Sequence, residues 1–179
     1  MGLLVSGRAS QMVLTHLAAN PSREFYQKEV ADASGVSIAT AYRALRGLEK
    51  AGMAHARRAG QMRFYSVDLG HPFVREWKVL LSVSALDPLL RVLAPLTRRV
   101  ILFGSRSLGT DREDSDLDLF VVTLGRDAVL SAIEASPLAG QIQIILKDPV
   151  EEAELERANP GFYREVQRGL VLWDAQGEY

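Results

Sequence analysis

Cysteine is absent from the 179 residues. Its absence excludes disulfide scaffolds, thiol nucleophiles, Cys-ligated zinc and iron–sulfur clusters. Histidine is nearly as scarce: His16, His55 and His71 all fall in the first half, too few for a His-rich metal site. No apolar run approaches 18 residues, so an ordinary transmembrane helix is not expected. Residues 1–10 lack the basic, apolar and small-residue succession of a secretory signal, and the expectation is a cytoplasmic chain with no membrane partner. Aromatic residues make up only 7%, whereas 47% hydrophobic and 24% charged residues are ordinary globular proportions. That is enough for one medium domain or two small ones.

The charge is unevenly placed. Residues 1–75 hold 10 basic and 5 acidic side chains, and residues 76–179 hold 11 and 17. A basic first half favours polyanions if its motifs agree. Apolar spacing predicts a helix through Met12–Ala18, a short one over Gln27–Ala33, and a third from Ile38 capped by Ser37 and stopped by Gly52. Two extended runs around Ala59-Gly60 predict a hairpin. Leu69-Gly70-His71-Pro72 is the best boundary, with a helical connector over 71–97 read as two helices, Phe73–Ser84 and Pro88–Leu96. Strands are expected at Arg99–Phe103, Leu117–Leu124, Gln141–Leu146 and Leu170–Trp173, with helices between them. The fold class is therefore a two-domain α+β or α/β chain, divided as 1–70, 71–97 and 98–179.

In the first half, two helices joined by a short glycine turn precede a hairpin carrying Arg57, Arg58 and Arg63. The string from Val36 to Met53 resembles the recognition helix of winged helix-turn-helix regulators, over roughly residues 9–68. That resemblance implies double-stranded DNA as partner, read by Ser37, Thr40, Arg43 and Arg46, with Arg57 and Arg58 on a wing, and a homodimer. The competing reading is a solvated helix face beside an ordinary hairpin. Tyr42 is expected to pack against the wing, and His16, on the apolar stripe, to be structural.

The second half carries the sharper signal. A buried strand runs into Gly104-Ser105, where backbone can approach a phosphate and a hydroxyl can donate to it. Ten residues later come Asp116-Leu117-Asp118, whose alternation puts both carboxylates on one face, roughly 6–7 Å apart. Two acids beside a phosphate-binding turn suit Mg²⁺. Gly-Ser, ten residues and Asp-x-Asp, with Phe162–Trp173 as terminal helix, glycine and strand, resemble the minimal nucleotidyltransferase domain of the DNA polymerase β superfamily.

The resemblance implies that Gly104 and Ser105 hold a nucleoside triphosphate; Arg106 either assists on the phosphate or is simply exposed. Asp116 and Asp118 would be the catalytic carboxylates and bind Mg²⁺ or Mn²⁺. The family's third carboxylate falls at Gln143 here, a neutral side chain that cannot serve as a base. Glu134 and Asp148 are candidate substitutes, while Asp111, Glu113 and Asp114 read as a solvated loop. Two functions stay open: a DNA-binding regulator whose second domain transfers a nucleoside monophosphate, or one whose second domain only senses nucleotide or binds a partner. An antitoxin-type nucleotidyltransferase acting on a toxin-like protein is a variant of the first.

Overall fold

The computed structural model describes residue 5 and residues 7–177. Residues 1–4 and 6, within the stretch expected to hold no leader, lie outside them. The chain divides into one compact unit ending at Lys78 and a second beginning at Val79.

In the first unit, α1 spans Arg8–Ala19, α2 Gln27–Ala33 and α3 Ile38–Lys50. The expected cap of α3 is present, with Ser37 Oγ accepting from the Thr40 amide at 3.2 Å. Strands β2 (Ala54–Ala59) and β3 (Met62–Val67) form the expected hairpin, and a two-residue β1, Phe25–Tyr26, pairs with β3. The sheet order is β1-β3-β2. Leu14 and Leu17 of α1, Leu45 and Leu48 of α3, Phe25 and Tyr65 close one buried cluster. Helix α3 is built on that cluster, so its opposite side is free.

Helix α4, Pro72–Leu93, is continuous, with Pro88 inside it, where two helices were expected. Proline removes one helical donor and tolerates the helical φ. The Ser84 carbonyl that loses this donor belongs to an exposed residue and can bond water instead. Among the described residues, one stretch, Pro72–Leu96, is long and apolar enough to cross a membrane by length and composition, at mean hydropathy 1.7. This corrects the expectation of no such run. Its Leu86, Leu89 and Leu93 are buried in the core of the second unit, and its two central charges, Asp87 and Arg91, pair at 3.0 Å.

The second unit is a four-stranded sheet in the order β6-β5-β4-β7, with β4 Arg99–Phe103, β5 Leu117–Val122, β6 Ile142–Lys147 and β7 Leu170–Asp174. Its helices are α5 Gly104–Leu108, α6 Arg126–Glu134, α7 Pro149–Ala158 and α8 Pro160–Gln167. β5 runs antiparallel to β4 and parallel to β6. Apart from Arg99 and Asp118, strands β4 and β5 are apolar because both faces are covered. Val100, Leu102, Leu119 and Val121 pack with α4 and with Val129 and Ile133 of α6. On the other face Ile101, Phe103, Phe120 and Val122 meet Val166, Phe162 and Leu155 of α7 and α8.

Candidate functional sites

The turn after β4 brings the two halves of the Gly-Ser and Asp-x-Asp motif together. Phe103, the last residue of β4, lies opposite Asp118 in the ladder, so Gly104 lies beside the Asp118 side chain. Gly104 has φ +68°, and a Cβ built on it would overlap Asp118 Oδ2. Any other residue would have to displace the carboxylate as well as adopt a left-handed backbone. Ser105 follows, half-buried, and its carbonyl accepts from the Thr110 amide at 3.0 Å. The Ser107 hydroxyl donates to the Gly104 carbonyl at 2.8 Å, fixing the turn.

Asp116 is delivered by the loop that precedes β5. Arg106 donates from Nε and Nη2 to the Ser115 carbonyl at 3.1 and 2.7 Å, and Nη1 stands 3.6 Å from Asp111. The guanidinium expected on a phosphate is thus engaged with the loop that carries Asp116. Asp111 is 6% exposed, which corrects its reading as part of a solvated loop: it is a buried partner of Arg106.

Residues opposite one another in a ladder share a face, and faces alternate along a strand. Asp118, opposite both Phe103 and Gln143, therefore points to the side of Phe103 and Phe120, the face that α8 covers. Gln143 lies where the register of β5 and β6 predicts, and it is exposed. Neither proposed substitute reaches this end of the sheet. Asp148 follows β6 at its far end and caps α7, accepting from the Val150 and Glu151 amides at 2.8 and 2.9 Å. Glu134 ends α6, whose Val129 and Ile133 pack on the opposite face.

A carboxylate that the sequence reading did not single out stands nearer. On α8 the Phe162 ring meets Phe103 edge-on with centroids 5.9 Å apart, and Val166 is fully buried. Gly169 lets the end of this helix close on β4, since a Cβ there would come within 2.6 Å of the Leu102 carbonyl oxygen. Glu165 precedes Val166 in the last turn of α8. Burial first, then the charges of Asp116 and Glu165, hold the Asp118 carboxyl above its usual range. The sequence signal was the Phe162/Val166 spacing, which places residue 165 next to the covered face without specifying a partner.

Among the described residues, no group of three or more His, Cys, Asp or Glu side chains is placed to hold a metal. The hard oxygen groups that could hold a cation are those of Asp116 and Asp118, the latter with its pKa raised by burial first and then by the Asp116 charge. That fits Mg²⁺ or Mn²⁺, which take one or two carboxylates and complete their shell from water and phosphate.

In the first unit the expected DNA-facing residues share one exposed surface of α3. The Ser37 hydroxyl donates to Thr40 Oγ1 at 2.9 Å, and Arg43 Nη2 reaches the same oxygen at 3.4 Å. Arg46 pairs with Glu49 at 3.2 Å, and Glu49 also takes Arg63 at 2.5 Å. On the hairpin, Arg57 is held bidentate by Glu24 at 3.0 and 2.5 Å and lies over the Phe64 ring. Arg58 is exposed. Tyr42 is 45% exposed. His16 packs against Phe25, with ring centroids 4.5 Å apart.

The comparisons with known proteins bear mainly on the second unit. Residues 95–178 match the family model described as polymerase beta, nucleotidyltransferase. No curated protein matches the chain. Among solved structures it is similar to TrmBL2, an archaeal chromatin protein whose structure is described as showing a novel mode of DNA binding. That similarity is at 18% identity and a TM-score of 0.31, over 88% of this chain and 69% of that one.

Proposed function

We propose that the chain is a DNA-binding regulator whose second unit binds a nucleoside triphosphate together with Mg²⁺ or Mn²⁺. The observation behind the nucleotide half is the meeting of Gly104 with Asp118: the glycine is demanded by the carboxylate it touches, so turn and acid form one site. Gly104 leaves room for the triphosphate, and the Ser105 hydroxyl would donate to a phosphate oxygen. Asp116 and Asp118 would hold the cation, and Arg106 keeps Asp116 in place through Ser115. The cation, when bound, would neutralise phosphate charge and polarise the phosphoryl group.

Gln143, on the face of Asp118, can hydrogen-bond an acceptor but cannot take its proton. Binding without rapid transfer is therefore the first reading. Transfer of a nucleoside monophosphate, with pyrophosphate leaving, is the second, favoured by a further carboxylate, Glu165, whose charge is felt at Asp118; Glu165 would then take the acceptor proton. Calorimetry with ATP, GTP, CTP and UTP, with and without Mg²⁺, separates outcomes. Metal-dependent binding that an Asp116→Asn, Asp118→Asn double variant abolishes supports the site, and four flat titrations overturn it. Label transfer by the wild type that Glu165→Gln removes selects the second reading. Gln143→Asp should raise metal affinity in either case, because a neutral amide is replaced by a ligand charge.

The DNA half rests on exposed Arg43 and Arg46 of α3, with half-buried Thr40 and the cap Ser37 beside them, and on the hairpin arginines, within a three-helix and hairpin unit that follows winged-helix logic. Duplex binding should fall steeply with salt and be lost in an Arg43→Glu, Arg46→Glu variant. A wild type with no salt-sensitive shift on any duplex removes this half of the reading.

A further inference from the structure

Helix α3 carries a glycine that its own fold does not ask for. Gly47 stands exposed in the last turn, and its carbonyl accepts from the Ala51 amide at 3.0 Å. Its φ is negative, and a Cβ built on it meets nothing within 4 Å. Nor does it end the helix. Gly52, with φ +75°, does that, while the Met53 amide donates to the Leu48 carbonyl at 2.9 Å. Alanine or a straight side chain would fit at position 47 and hold the helix better, because glycine gives up more backbone freedom on folding than any other residue.

The missing side chain leaves a bare strip of helix between cations. Positions three and four apart share a helix face, so exposed Arg43 and Lys50 flank Gly47 along α3. Arg43 turns from it toward Thr40, with Nη2 3.4 Å from Oγ1, and Arg46 turns to Glu49. Arg46, Gly47, Glu49 and Lys50 line an open depression. Its acid is already shared by two arginines, Arg46 and Arg63, so the surroundings are net positive. Apart from the glycine this lining is charged, which is unlike the apolar contact that a packed protein helix would need. An anionic backbone fits it.

We infer that Gly47 is where the sugar–phosphate backbone of a DNA duplex crosses α3, with Arg43 and Lys50 on the phosphates to either side. The inference rests on the DNA half of the reading above. A recognition helix reads base edges with its first turns, and its far end meets the backbone. The major groove, about 12 Å wide, is hardly wider than a helix with its side chains, about 10–12 Å. A position without a side chain on the groove wall therefore lets α3 sit deeper, and the helix stability given up at Gly47 is the cost of that approach.

The test uses the whole chain and a mixed-sequence duplex of about 30 base pairs, followed by fluorescence anisotropy across a salt series. Gly47→Ala should raise the melting temperature by roughly 2–4 °C and yet weaken duplex binding about threefold or more. Gly47→Gln, longer and uncharged, should weaken it about tenfold or more with an unchanged circular dichroism spectrum. Lys50→Gln should lower the log–log salt slope by about one in the wild type, and by nothing beside Gly47→Gln, where the phosphate has already been lifted away. Gly47→Gln that binds as the wild type does overturns the inference, and loss of binding in Arg43→Glu, Arg46→Glu would then leave the DNA reading standing. A lower melting temperature for Gly47→Ala also overturns it, since the glycine would serve the fold. A changed oligomeric mass with intact duplex affinity overturns it in favour of a second copy of the chain. A wild type that binds no duplex removes the reading and the inference together.

Discussion

Asp118 is the residue where the demands of folding and of chemistry part. Its carboxyl is held up by burial and by Asp116 and Glu165, so the ionised form is disfavoured in the folded chain relative to the unfolded one. The folded state therefore binds the proton more tightly, and stability rises as pH falls through the raised pKa. Asp118→Asn, a neutral mimic of the protonated acid, should stabilise the chain near neutral pH by on the order of 0.5 kcal/mol, since the group is partly solvated and its repulsion screened. The gain should shrink in acid, as thermal melts across pH will show; a gain independent of pH would mean that the repulsion is absent. Gly104→Ala should cost about 1–2 kcal/mol from its left-handed backbone and also disturb nucleotide binding, because the new methyl group overlaps the same carboxylate. At this scale the sequence was informative where spacing carries geometry: Gly104 meets Asp118, and Gln143 lies opposite Asp118 in the ladder. It was silent on Glu165 and on the engagement of Arg106 with Ser115, because both depend on contacts between segments far apart in the chain or on loop closure.

The elements were legible where a local signal ended or capped them. Ser37 before α3, Asp148 and Asn159 before α7 and α8, and the hairpin around Ala59-Gly60 all formed as their side chains dictate. The exception was Pro88. Proline reads as a helix break, yet apolar residues on either side, Leu86 and Leu89, are both buried in one core, and that burial outweighs one missing hydrogen bond. The two-residue β1 left no pattern to find. Helix α7 offers a clean test of the element scale. Its cap is reciprocal, with Asp148 accepting from two amides while its own amide donates to Glu151 Oε2 at 2.8 Å. Asp148→Ala should cost about 1 kcal/mol in chemical denaturation. Nucleotide affinity should be unchanged, because Asp148 sits at the end of β6 away from Gln143. A loss of nucleotide binding without a loss of stability would return Asp148 to the site.

For the molecule as a whole, the basic half carries its own restraint. Arg57 on the hairpin is already neutralised by Glu24, and each draws the other further into its charged form. If that hairpin meets phosphate, freeing Arg57 should help, and Glu24→Gln should raise duplex affinity two- to threefold and steepen its salt dependence, measured by anisotropy between 50 and 200 mM salt. An unchanged salt slope would place Arg57 off the duplex. The sheet order β6-β5-β4-β7 has a different kind of consequence, one of timing. Strand β4 and the Gly104 turn leave the ribosome some seventy residues before β7, the strand that covers their open edge. Until then a strand apolar beyond Arg99 has a bare row of amides and carbonyls on one side, an invitation to pair with another nascent chain. A premature stop just before Leu170 would make that interval permanent, and its product should be recovered as aggregate and not as a soluble fragment.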